Sequence, residues 1–169
     1  MSRCWPNLVG LAVLTALHGA CARAPTWPPA PAALRAGEDS CAECRMIVSD
    51  ARFAVQRHSP DGELEWFDDL GCLLEKHSPG DSDPAGVFVH DFEGDSWVRG
   101  DRGYAVRSDA VVSPMGYGWR AYASPEAAKA AAAGDASADV MAILDLLRDG
   151  TAALPPSSHL SDPDIPWSH

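Results

Sequence analysis

The sequence predicts an α+β protein: two small strand–turn–strand–helix units packed together behind an export signal and a Pro/Ala-rich tether. Three observations predict it. Short extended runs alternate with capped amphipathic helices. The order strand, turn, strand ending in an aromatic, helix occurs twice. Finally, 46% of the 169 residues are apolar, enough for one ordinary domain with a core.

Residues 1–20 come first. Arg3 precedes the apolar run 8–17, which has the length of a signal h-region and is too short to span a bilayer. Gly19, Ala20, Cys21 and Ala22 follow, and Cys21 is placed to become a lipid-modified N-terminus. Ordinary cleavage after Ala22 is the competing reading, and His18 stands where lipoprotein signals usually carry Leu. Residues 21–37, with Pro25, Pro28, Pro29 and Pro31, read as a flexible tether. The domain is then 38–153, and 154–169 is a Pro-rich tail.

Within the domain, 52–58 and 63–67 flank Pro60-Asp61-Gly62 and read as a hairpin. Asp68 or Asp69 caps a helix running through His77, with Leu70, Leu73 and Leu74 on one stripe. Residues 87–92 form the next strand. In the second half, 103–112 and 119–122 read as strands around the turn-like 113–118. Ser124-Pro125-Glu126 starts an alanine-rich helix that Gly134 ends. Residues 139–149 read as a further amphipathic helix, with Val140, Ile143, Leu144 and Leu147 on one face. The two halves share this order with negligible sequence identity, so any duplication is weak in the sequence.

Net charge is −11, which argues against nucleic acid as a partner, because phosphate binding needs a basic surface. No nucleophile elbow, HExxH or P-loop is present, so the sequence points to a binding protein rather than an enzyme. With Cys4 in the signal and Cys21 lipidated, the domain keeps Cys41, Cys44 and Cys72, an odd number that makes no disulfide framework.

Cys41-Ala42-Glu43-Cys44-Arg45-Met46 brings two thiols together with a thioether two residues on. Four readings compete. A thioredoxin-like redox pair would normally follow a strand at a helix start, whereas this segment follows a tether. Structural zinc needs four ligands, and no second Cys/His pair is present. A short-loop disulfide is the plainest reading. A soft-metal site, above all Cu(I), suits thiolate plus thioether best. Met115, in the turn Ser113-Pro114-Met115-Gly116-Tyr117-Gly118, either fills a gap under a loop or offers a second thioether to the same ion. In Trp66-Phe67-Asp68-Asp69 the carboxylates read first as a strand end and helix cap; they are otherwise candidates to support the metal site from behind its ligands. Cys72 lies nearly opposite the Leu70/Leu73/Leu74 stripe and is a reserve ligand only. His58, His77 and His90 are not paired at metal-ligand spacing.

Taken in order, Cys21, Cys41–Met46, Phe67-Asp68-Asp69 and Ser113-Pro114-Met115-Gly116 resemble the NosL family, copper-binding lipoproteins that accompany nitrous oxide reductase. The match runs from Cys41 to about Ala133. Arg45 departs from the family pattern, standing where a glycine is expected between the second cysteine and the methionine. The resemblance implies two ββαβ-type units and a periplasm-facing, membrane-anchored copper chaperone. It would bind Cu(I) through Cys41, Cys44, Met46 and Met115. Its partners would be nitrous oxide reductase, whose copper–sulfide centre receives the ion, and the membrane-associated assembly machinery. The rival reading is an envelope thiol–disulfide oxidoreductase using Cys41 and Cys44.

Overall fold

The structure is a computed structural model that describes residues 26–81 and 83–150. The expected signal, the lipidation site Cys21 and the Pro-rich tail lie outside the described residues. Among the described residues, no helix is long and apolar enough to cross a membrane.

The first unit is built from β1 (Val55–His58), β2 (Leu64–Phe67), α1 (Leu70–Lys76) and β3 (Val87–His90). A short strand, β4 (Trp97–Arg99), which the sequence pattern does not reveal, extends its sheet to the order β2-β1-β3-β4. The second unit is β5 (Tyr104–Arg107), β6 (Trp119–Tyr122), α2 (Pro125–Ala132) and β7 (Asp139–Ala142), with sheet order β6-β5-β7. α3 (Ile143–Asp149) follows. Both units are therefore ββαβ, as expected. In each, the first strand is central and runs antiparallel to the other two.

The expected helix over 139–149 is half wrong. Residues 139–142 are β7, pairing Val106 with Val140 and Ala105 with Met141, and the helix begins only at Ile143. The apolar spacing of Val140, Ile143, Leu144 and Leu147 is helical, but without β7 one edge of β5 would keep unpaired N–H and C=O groups. The hydrogen bonds of a third strand override the periodicity.

Capping follows the sequence. Asp69, not Asp68, is the N-cap of α1 and accepts from Gly71 N–H; Ser124 caps α2 by accepting from Ala127 N–H. The main core lies between the units. Val55, Phe67 and Val89 share one face of the first sheet, with Leu70, Leu73 and Leu74 of α1 over them. Ala105, Trp119 and Ala121, on the face of the second sheet turned away from α2, close the same core together with Ile143, Leu146 and Leu147 of α3. α2 packs on the other face of the second sheet, where Ala128 meets Val106 and Tyr122.

Part of the stretch read as tether is docked on the domain. Trp27 Nε1–H donates to Asp83 at 2.7 Å. Ala32 N–H donates to the buried Gln56 Oε1, also at 2.7 Å. Ala32 and Leu34 then pack on Val48, Ala54 and Trp66, covering the outer face of the first sheet.

The duplication is plainer in the backbone than in the sequence. Cys41 N–H donates to Met46 C=O and Asp91 N–H to Ser96 C=O, so each unit opens with a turn of the same length. Ser40 bridges Ile47 as His90 pairs with Trp97. Ala42 N–H then donates to Trp66 C=O, and Phe92 N–H to Ala121 C=O. Trp66 and Ala121 are register-equivalent, facing Gln56 and Ala105, the second residues of the two central strands.

Candidate metal centre

Three parts of the first unit meet at the end of β2. The turn 41–46 is tied to β2 by the Ala42–Trp66 hydrogen bond, which sets Cys41 and Cys44 beside the strand end. β2 runs out at Phe67, so Asp68 falls between strand and helix. α1 starts at its Asp69 cap and brings Cys72 up one turn later. One ligand atom from each of Cys41, Cys44, Asp68 and Cys72 lies within 4.8 Å of all the others. All three cysteines are free thiols. Cys41 and Cys72 are 1% exposed and Asp68 2%, whereas Cys44 is half-buried. The site thus has a closed end and an open one.

The Asp68 carboxylate is the shared acceptor. Cys72 Sγ donates to Oδ1 at 3.3 Å, and Cys44 Sγ lies 3.5 and 3.6 Å from the two oxygens. The Cys72 proton lies between two acceptors, Asp68 and the Cys41 sulfur, and its donation to Cys41 divides the thiols. It draws the Cys41 thiol down to about 6, with backbone N–H groups of Asp68, Cys44 and Glu43 adding to the effect against burial. Burial, with the neighbouring Cys41 and Asp68, pushes Cys44 up to about 11. Cys72 is raised by holding the proton that Cys41 uses, then by burial. Near neutrality Cys41 is the thiolate of the cluster, and Cys44 and Cys72 keep their protons.

A segment of the second unit roofs the cluster. Met115 and Tyr117, from the connection between β5 and β6, pack on the core that contains Cys41 and Cys72. Tyr117 lies so close over α1 that a Cβ on Gly71 would sit 2.1 Å from its ring. Ser113 Oγ–H and Met115 N–H both donate to Asp69 Oδ2. Burial raises the Asp69 carboxyl above its ordinary range, opposed by these donors.

Set against the sequence, the site gains two residues. Cys72, expected only in reserve, is an equal member of the cluster, because the 113–118 segment covers the side of α1 that the leucine stripe leaves open. Asp68 stands among the thiols, while Asp69 caps α1 and holds the roof. The zinc reading lacked a second pair; the strand-to-helix turn supplies the third and fourth donors instead. Met115 is packed on the cluster's core, whereas Met46 is 55% exposed, its backbone closing the turn. Arg45, at φ 67°, occupies the left-handed conformation that glycine adopts most readily. That explains why a glycine would suit this position.

No protein-family model matches the chain, and no curated protein matches it. The observed cluster could hold a metal ion; which ion rests on the donor chemistry.

Proposed function

We propose that the chain is a Cu(I) carrier of the cell envelope, anchored through a lipid on Cys21, that delivers copper toward the copper–sulfide centre of nitrous oxide reductase. The observation that carries the reading is the convergence of three thiols in one largely buried cluster with a single half-exposed member. Thiolates select Cu(I), which accepts two or three sulfur ligands. Cys41 and Cys72 hold the ion from inside, and Cys44 faces the side from which an acceptor approaches. Met115, whose segment packs on the same core, and Met46, at the exposed turn, offer thioethers that take the ion in passing and do not set its resting affinity, because they bind weakly and are never protonated. The destination and the envelope location rest on the ordered likeness of Cys21, Cys41–Met46, Phe67–Asp69 and Ser113–Gly116 to the NosL pattern.

The site is poorly built for disulfide exchange. A redox enzyme presents its low-pKa thiol to the substrate. Here that thiol, Cys41, is buried, and the accessible one, Cys44, is raised.

One observation favours a second reading. A carboxylate among three sulfurs makes a four-donor set of the kind that suits tetrahedral Zn²⁺. The two are separated by anaerobic competition titrations of the reduced protein with Cu(I) and with Zn²⁺. The carrier reading expects one Cu(I) per chain, little affected by Asp68→Asn and released to apo-nitrous oxide reductase. Tight Zn²⁺ binding that Asp68→Asn abolishes, with weak Cu(I) uptake, would overturn it.

A further inference from the structure

Two points of hydrogen bonding tie the 113–118 segment to the first unit among the described residues: Glu75, which takes the Tyr117 hydroxyl, and Asp69 Oδ2, which takes Ser113 Oγ–H and, at 3.3 Å, Met115 N–H. That carboxylate is buried and its other oxygen is engaged by Gly71 N–H at 2.9 Å. Beyond this latch the segment rests on α1 through Tyr117, with its ring over Gly71 and its hydroxyl beside Glu75. Inside the segment the bonds are few: Gly116 N–H to Ser113 C=O, and Gly118 N–H to Ser113 Oγ. Gly116 and Gly118 both have φ of 75°, and the neighbouring Val112 is 92% exposed. The segment is thus a short span between an unpacked residue and two left-handed glycines, held over α1 by the buried Asp69 latch and by the Tyr117 bond to the exposed Glu75.

We propose that residues 113–118 form a gate over the thiol cluster and that Asp69 is the positioning residue that latches it. The inference rests on the metal-site reading given above. Asp69 touches no sulfur. It sets how often the roof lifts, and with it how fast thiols and metal meet the outside. A gate that closes equally over the empty and the loaded site changes rates without changing affinity, since a state preference that the ligand does not share shifts no binding equilibrium.

The test uses Ser113→Ala, which removes one donor, and Asp69→Asn. The second keeps the helix cap, because Asn serves there as well as Asp, but it can set an amide N–H against that of Met115. Ser124→Ala, which uncaps α2 in the other unit, controls for general loss of stability. The first readout needs no metal: the rate at which iodoacetamide alkylates Cys72 in the reduced apo-protein, resolved by mass spectrometry. It should rise about tenfold in Ser113→Ala and in Asp69→Asn, the equivalent of losing one hydrogen bond to a charged group, and stay level in Ser124→Ala. The second readout is stopped-flow Cu(I) exchange with a chelator. Association and dissociation should quicken together, leaving Kd within about threefold of wild type.

Unchanged Cys72 alkylation in both latch variants overturns the gate and leaves the metal site standing. A weakened Kd with unchanged association also overturns it, making the segment a ligand donor. A wild type that takes up no metal, yet shows the faster alkylation, removes the carrier reading and keeps the gate.

Discussion

Where the first unit has Cys41, Cys44, Asp68 and Cys72, the register-equivalent positions of the second hold Asp91, Gly94, Ala123 and Ala127. The backbones that carry the two sets share their opening turn, its hydrogen bond to the second strand, the helix cap and the strand order. A scaffold that can converge four side chains is therefore present twice, and soft donors occupy it once. The units also differ in their strand connections. The first turns tightly through 59–63, while the second takes 108–118, whose Met115 and Tyr117 pack on the core that holds its neighbour's Cys41 and Cys72. The metal chemistry belongs to one unit and its cover to the other, which gives a reason for the two to stay together in one chain.

The largest effect that would break this asymmetry is on metal affinity. Cys41→Ser should weaken Cu(I) binding by about 100-fold or more, because it removes the pre-formed thiolate. Asp91→Ser, its counterpart, should leave binding unchanged; competition titrations compare the two directly.

Packing under the helices comes next. Leu73 and Ala128 are equivalent and both fully buried, one under a leucine stripe and the other under an alanine helix close to its sheet. Leu73→Ala should cost about 2–5 kcal/mol by opening a cavity. Ala128→Leu should cost about 1–3 kcal/mol by overpacking. Urea denaturation measures both.

The caps differ in a similar way. Ser124→Ala removes one hydrogen bond to a helix end, about 1 kcal/mol. Asp69→Ala also strands the donors of Ser113 and Met115 and should cost roughly 2–3 kcal/mol.

Proton linkage sharpens the comparison further. The folded Cys41 thiol lies below its unfolded value, so the stability it contributes is complete above the unfolded value, near 9, and is lost as pH falls toward 6. Cys44 and Cys72 are raised and act the other way, costing stability as pH climbs past 9. The melting temperature of the apo-protein should therefore rise from pH 6 to about 8.5 relative to Cys41→Ser, and the gap should close again toward pH 6. The smallest effect is at Arg45, where Arg45→Gly should relieve the left-handed strain and raise stability by about 0.5–1 kcal/mol without changing metal stoichiometry.

Local chemistry was legible in the sequence wherever it acted alone. The Pro60-Asp61-Gly62 hairpin, the Ser124-Pro125 helix start and the paired thiols at 41 and 44 are all decided within a few residues. β7 was not legible, since Val140 to Leu147 repeat at helical spacing and only the open edge of β5 makes the first four residues a strand. Nor was Cys72, because its partners Cys41 and Asp68 and the core that encloses it, with Tyr117 and Met115 packed against that core, are assembled only by the fold. Asp68 read as a cap because capping is local, whereas its place among the sulfurs depends on the 41–46 turn being tied to β2. The docking of Trp27 on Asp83 and of Ala32 on Gln56 was hidden for the same reason. Proline-rich composition described the segment, but a partner far along the chain fixed it.

X-ray absorption at the copper edge of the Cu(I)-loaded protein tests the central claim most directly, with Cys72→Ser and Asp91→Ser measured alongside. Three converging thiols predict a sulfur shell around the ion that loses one neighbour in Cys72→Ser and is untouched in Asp91→Ser. A shell dominated by oxygen or nitrogen, or one that Cys72→Ser leaves intact, would contradict a copper site built from these three cysteines.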